Sequence, residues 1–471
     1  MNRRDFLRLT SAGLASAAVS PSLIATAHAQ HNMSHPAGAA PKGKPTGKAD
    51  HTLTIEDITL ELAKGISVKT VAYNGSVPGP LLRFKHGVPV TVDVVNKTAV
   101  EEILHWHGFD IGPVPDGAME EGSPMIAANG GVVRYSFTPN LTGSRWYHTH
   151  TGAEKKLDRS TYTGQFGFAY VEPKSEQGNY DREVFLPIHH WEPRIEMLGP
   201  PVSGCEVVNK YASFDDKLYQ AHEPIRVKRG ERVLFHFLNA SATQNVSLAL
   251  PGHTFKVVAL DGNAVPHPTS VDTLFLAVAE RVDAIVEMNQ PGVWMLGSTD
   301  DAERKSGLAV RVEYAGATGE AVWKSPANAA AWDYLAFGNA AASDAPKPEE
   351  SFMMIFGKKA GAAPDGMDQW FINGKSWPEI EPFKVKQGKR YRISMMNASP
   401  ELHPMHLHRH SFEVMSINGK GSSGLIKDTI NLSPFGRAEV DFLANNPGPA
   451  LFHCHQQLHM DYGFMSIFQY V

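Results

Sequence analysis

The sequence predicts an all-β protein made of three related β-sandwich domains, and three observations predict it. A segment recurs three times, at residues 81–98, 224–241 and 382–399. Each copy reads as a strand, a turn at Gly87, Gly230 or Gly388, and a second strand of alternating apolar residues that ends at Asn96, Asn239 or Asn397. A later element recurs at 141–150, 290–298 and 446–455. Convincing helical periodicity is rare elsewhere. Internal repeats reveal architecture before any single element does, and this spacing gives domains of roughly 120–140 residues, the size of a sandwich.

Taken in order, the chain opens with Arg3-Arg4, then Phe6-Leu7, a mildly apolar run and Ala27-His28-Ala29. This resembles a twin-arginine export signal over 1–29, which implies engagement of that machinery and a periplasmic or secreted protein. Residues 30–50 are rich in Gly, Pro, Ala and Lys and read as a flexible lead-in. The first domain is expected over 51–174, the second over 175–315 and the third over 351–471. Between the last two, the Ala-, Pro- and Glu-rich stretch 316–350 reads as a long linker.

Composition bounds the function. The chain has 471 residues, too many for one ordinary core, with 42% hydrophobic and 20% charged residues. No internal apolar run reaches the roughly 18 residues of a membrane span, so no stable membrane anchor is expected. A net charge of −5 argues against nucleic acid or an anionic membrane as partner. The two cysteines, Cys205 and Cys454, lie in unrelated regions and do not suggest a disulfide framework. The 22 histidines are the first compositional hint of metal.

Histidine spacing sharpens that hint. Four His-x-His pairs occur: His105/His107, His148/His150, His406/His408 and His453/His455. Random placement would give roughly one. On a strand each pair puts both imidazoles on one face. Copies one and three of the later repeat element carry His-x-His, whereas copy two has Leu296-Gly297-Ser298. Eight imidazoles from domains one and three therefore suit a multinuclear metal cluster at their interface, with a copper-free middle domain as spacer. Imidazole alone does not name the metal. His403, Cys454 and His459 do, because two imidazoles and a thiolate are the soft set of a blue copper site. Cys454 lies between His453 and His455, so two covalent links join that site to the cluster. Phe464 fills the position where such loops often present an axial Met, and Met465 should point the other way. Cys205 has no such partners and reads as a plain thiol. His31, His35, His86, His189, His190, His222, His236, His253 and His267 share no pattern and read as structural or surface residues. Met353, Met354, Met395, Met396 and Met415 read as core.

The chain resembles the multicopper oxidases of laccase type, with three cupredoxin domains of Greek-key sandwich or barrel form. The resemblance covers nearly all of the chain after about residue 50. It rests on residues 74–80 (NGSVPGP), His105-Trp106-His107-Gly108, Trp146-Tyr147-His148-Thr149-His150, residues 403–408 (HPMHLH), and His453-Cys454-His455 with His459. It implies four copper ions. His403, Cys454 and His459 would hold the type 1 copper, and His105 and His406 the type 2. His107, His148, His150, His408, His453 and His455 would hold the type 3 pair. Asp116 matches an acid that assists proton delivery near the cluster. Three residues depart from the family: Met460 where many bacterial relatives have an acid, Phe464 for the axial Met, and Arg409 where Gly is common. Loss of a thioether ligand should raise the potential of the type 1 site.

The activity implied is four one-electron oxidations of a small reducing substrate, a phenol or aromatic amine, coupled to reduction of dioxygen to water. Electrons would pass through Cys454 and its neighbours His453 and His455. The alternatives are a cuprous or other metal-ion oxidase in copper tolerance, and a non-enzymatic copper-binding or electron-transfer protein. A carrier would need only His403, Cys454 and His459.

Overall fold

The structure is a computed structural model, and it describes residues 45–173, 179–199, 204–326, 332–340 and 346–471. The export signal and most of the lead-in lie outside these residues. Each repeat forms two facing sheets. In the first domain, one sheet holds Ile66–Tyr73, His51–Ala63, Val90–Asn96 and Gly131–Phe137. The other holds Leu82–Lys85, Phe166–Glu172, Gly143–Thr149 and Leu104–His107. The second domain pairs a six-stranded with a five-stranded sheet. The third pairs a larger sheet around Arg390–Asn397 with a five-stranded one around Ala450–Cys454.

Alternation writes the cores. In Val90–Asn96 every second residue is buried, as it is in Arg390–Asn397, where Tyr391, Ile393, Met395 and Asn397 turn inward. That is the period of a strand with one wet face. The matching strand of domain two, Arg232–Asn239, is buried on both faces after Arg232. Its second face is covered from domain one, where Ser144 meets His236 and Asp283.

The repeat's terminal Asn has one job in all three domains. Its side-chain amide donates to two carbonyls of the following loops, and its oxygen accepts a backbone N–H two residues on. For Asn96 these partners are Val100, Ile126 and Thr98. For Asn239 they are Gln244, Leu276 and Ser241, and for Asn397 Glu401, Ser433 and Ser399.

The stretch 316–350, read as a linker, packs against the domains on either side where it is described, and one expectation, on the methionines, needs correction. Tyr334 and Phe337 are buried, the Tyr334 hydroxyl donates to Glu280 at 2.6 Å, and Asn339 pairs with Ser423 across domain three. Aromatic residues within an Ala- and Pro-rich stretch gave it something to bury. Among the methionines, Met354 and Met395 are core, but Met353 is 58% exposed and Met396 and Met415 only half-buried. Adjacent positions on a strand face opposite ways, so Met353-Met354 cannot both be inside. Among the described residues, no helix is long and apolar enough to cross a membrane.

Candidate metal centre

Strand pairing assembles the centre. Leu104–His107 runs antiparallel to Gly143–Thr149, with His105 opposite His148. His403–Leu407 runs antiparallel to Ala450–Cys454, with His406 opposite His453 and Met405 opposite Cys454. The two ribbons then meet face to face. His107 stacks on His406 at 3.7 Å between ring centroids, and His105 on His408 at 4.0 Å. All eight paired histidines but His150 are essentially sealed from solvent.

Their ring nitrogens sort into groups whose members lie within 4.8 Å of one another. These are His107, His148 and His455; His150, His408 and His453; and His105 with His406 beside His107. A fourth group is His403, Cys454 and His459. The eleven residues singled out from sequence as metal ligands thus converge in two buried clusters, and domain two contributes to none of these groups.

Tautomers follow from what holds each ring. Nδ1 of His105 meets the Asp116 carbonyl at 2.9 Å, and Nδ1 of His406 the Asp428 carbonyl at 2.8 Å. Nδ1 of His148 and of His453 are held by the Thr149 and Cys454 carbonyls, and Nδ1 of His408 by Asp116 Oδ2 at 2.9 Å. Each leaves Nε2 turned inward. His107 is reversed: its Nε2 meets Asp428 Oδ1 at 3.1 Å and its Nδ1 is free. The inward nitrogens of His105, His107, His148, His150, His406 and His455 are buried without a hydrogen-bond partner. Buried polar atoms are rarely left so. Unpartnered imidazole nitrogens converging in triads fit metal ions, and the second partner of each ring fixes its direction as metal-binding histidines require.

Electrostatics agree. Burial pushes His107, His148, His406, His408, His453 and His455 well below the ordinary histidine range, helped by their neighbours, so they are neutral ligands. Burial pushes the Cys454 thiol far up, so a thiolate there needs a bound cation and its binding releases a proton. Around Cys454, His459 Nδ1 lies 3.5 Å and His403 Nδ1 3.9 Å from Sγ. Ser399 holds His403 Nε2 at 2.7 Å, and Glu401 Oε2 holds His459 Nε2 at 3.2 Å. Phe464 is fully buried, with its ring 4.9 Å from that of His403 and 5.6 Å from Trp370. Met465 turns away to pack near Leu451 and Ile467.

Asp116 touches both ribbons. Its Oδ2 lies 3.1 Å from His105 Nδ1 and 2.9 Å from His408 Nδ1, while its buried Oδ1 has no partner. Arg409 sits at φ 61°, the left-handed region that favours Gly, and its guanidinium pairs with Glu121 at 2.8 Å and with carbonyls of residues 447–449.

All four His-x-His pairs of domains one and three, with Cys454 and His459, thus have a place in two adjoining clusters. Three profiles described as multicopper oxidase match the chain over residues 54–176, 140–312 and 346–471. The chain belongs to the multicopper oxidase family. The multicopper oxidase MmcO of Mycobacterium tuberculosis is 27% identical over 456 residues, covering 89% of this chain and 86% of that protein. Laccase-9 of Arabidopsis thaliana is 24% identical, covering 89% and 88%. Among solved structures, the multicopper oxidase Fet3p, which functions in iron import, shares the fold at TM-score 0.74 and 18% identity, covering 89% of this chain and 90% of that one. The laccase of Botrytis aclada does so at TM-score 0.71 and 19% identity, covering 89% and 87%. The cofactor of this multicopper oxidase is copper, and its acceptor is dioxygen.

Several residues around the centre carried no local signal. Asp428 is fixed by Arg281 of domain two, at 2.9 and 2.5 Å, and reaches His107. Lys358, Asp368 and Trp370 line a cavity of about 570 Å³ beside His459, together with Cys205, Leu458 and Tyr462. Near the same ligands in sequence, Glu401 lines that cavity, whereas Met405 and Met460 are buried. Only the repeat could have pointed to Ser399, two residues after the clamping Asn397.

Proposed function

We propose that this multicopper oxidase is laccase-like, taking electrons from a phenol or aromatic amine at the His459 cavity. The observation that carries the reading is the wall of that cavity. The Trp370 ring, itself buried, lies 4.0 Å from His459, and Leu458, Tyr462, Val207 and Pro400 give an otherwise polar lining an apolar side next to that histidine. An aromatic donor can lie against that side within electron-transfer reach of His459. The metal assignment is proposed as the family resemblance has it: type 1 on His403, Cys454 and His459; type 2 on His105 and His406; and one type 3 ion on each histidine triad.

When bound, copper supplies the one-electron oxidations and the reduction of dioxygen to water. The chain does the rest. Cys454 joins the donor site covalently to His453 of one triad and His455 of the other. Asp116 orients His105 and His408 through Oδ2, which leaves Oδ1 able to hold a proton beside the cluster. Phe464, buried beside His403, offers no ligand atom, which would favour the reduced state of a copper held by His403, Cys454 and His459.

A second reading, oxidation of cuprous or ferrous ion, draws on Glu401 and Asp368 in the same cavity. Steady-state oxygen uptake with a methoxyphenol, cuprous ion and ferrous ion separates the two. A clear preference for either ion in kcat/KM would overturn the organic-donor reading. We also propose export by the twin-arginine route to the periplasm or beyond. Replacing Arg3 and Arg4 by Lys should then leave the protein in the cytoplasmic fraction.

A further inference from the structure

The cavity beside His459 carries three carboxylates, Glu206, Asp368 and Glu401, a set that alone would suit a metal cation. One ammonium is set among them. Lys358 Nζ lies 2.9 Å from Asp368 Oδ2 and is bonded to Glu401 Oε1, whose other oxygen faces His459 Nε2. It stands 5.5 Å from the centroid of the Trp370 ring. The Lys358 side chain is 13% exposed and that of Asp368 4%, so this pair meets away from bulk water. The backbone of Gly204, at φ +134°, closes over them: a Cβ there would fall 2.5 Å from Asp368 Oδ2 and 3.0 Å from Lys358 Nζ.

We propose that Lys358 determines donor specificity by filling the cation position between Glu401 and Asp368. The cavity then admits neutral organic donors and refuses cuprous and ferrous ions. The inference rests on the organic-donor reading and supplies its physical cause. A metal-ion donor needs several oxygen or sulfur atoms and net negative charge around it. Here the buried Asp368 and the partly exposed Glu401 each already accept from a fixed ammonium, and Glu401 accepts from His459 as well. A cation would have to bind within a few ångström of Lys358 or expel it, and like charges that close in a partly desolvated site repel strongly. A neutral aromatic ring meets no such barrier and gains the Leu458 and Tyr462 surface. The ammonium also anchors Glu401, so the carboxylate that steadies His459 stays in place without a metal-ion donor.

The test uses the copper-loaded enzyme and cobaltous ion as a redox-inert probe. In the wild type, calorimetry should register no cobalt binding, and millimolar cobalt should not compete with a methoxyphenol. Lys358→Leu should bind one cobalt ion competitively with the phenol, and its ferrous-to-phenol ratio of kcat/KM should rise by about tenfold or more. Adding Glu401→Gln to that variant should reverse both gains, and Lys358→Arg, which keeps the positive charge, should still bind no cobalt. Cobalt competition in the wild type overturns the proposal, whether or not any variant folds. So does an unchanged ratio in a Lys358→Leu enzyme that keeps its blue absorption. A wild type that prefers ferrous or cuprous ion to phenols is a different result, because it sinks the organic-donor reading itself.

Discussion

At the scale of single residues, the chemistry turns on atoms that have no other partner. Cys454 is buried, its thiol is disfavoured as a thiolate without a cation, and both nearest nitrogens belong to histidines held from behind by Ser399 and Glu401. Cys454→Ser should therefore abolish intense blue absorption and donor oxidation together, while the histidine cluster still takes up copper. A blue, active variant would refute the assignment. Asp116 is the other residue to examine. Asp116→Asn keeps a carbonyl oxygen for the His105 and His408 rings but cannot exchange a proton at Oδ1. It should lower kcat by about 10²–10⁴ with donor KM and the blue band little changed. Loss of copper instead would make Asp116 a positioning residue only.

At the scale of elements, the repeat is held by its terminal asparagine. Asn397 bonds the carbonyls of Glu401 and Ser433 and the N–H of Ser399, so one side chain fixes the loop that carries both the Ser399 hydroxyl and Glu401. Asn397→Ala leaves these buried groups unpaired and should cost about 2–4 kcal/mol by denaturant unfolding. The same change at Asn239 should cost a similar amount and leave the blue spectrum untouched, because its loop carries no ligand. A spectral change in the Asn239 variant, or none in the Asn397 variant, would break this link between clamp and site.

At the scale of the whole molecule, the metal-free middle domain is structural on two sides. Arg281 clamps Asp428 behind His107, and His236 joins Ser144 of domain one to Asp283 of domain two at 2.9 Å each. Burial alone would lower His236, but the carboxylates of Asp283 and Glu183 outweigh it and raise it to about 9. His236 is thus an imidazolium in the fold. Its contribution, on the order of 3 kcal/mol, is complete below the unfolded value of about 6.5 and is lost as pH rises through about 9. His189 is the opposite case. Burial lowers it to about 4, so its contribution is complete above about 6.5 and is lost as pH falls through about 4. Stability should be greatest near pH 6.5 on these two terms. Unfolding free energies at pH 6.5 and 9 should differ in the wild type and converge in His236→Gln; an unchanged alkaline loss in that variant would exclude His236 as its cause.

The fold and the clustered histidines were legible in the sequence because both are written as short spacings. Period-two alternation makes strands, His-x-His on a strand puts two rings on one face, and a threefold repeat of Asn-terminated hairpins makes three sandwiches. The sequence by itself determined which eleven side chains converge in the two buried clusters and that Cys454 stands between two of the histidines. What it left undecided depends on residues far apart in the chain. The split of six histidines into two triads, the reversed ring of His107 held by Asp428, and the Lys358 ammonium between Glu401 and Asp368 arise only when separate domains or loops are packed together. A stretch with no periodicity, 316–350, likewise revealed its buried Tyr334 and Phe337 only through the surfaces of the domains on either side. Local pattern fixes which atoms face inward, whereas contacts across tens to hundreds of residues decide what those atoms meet.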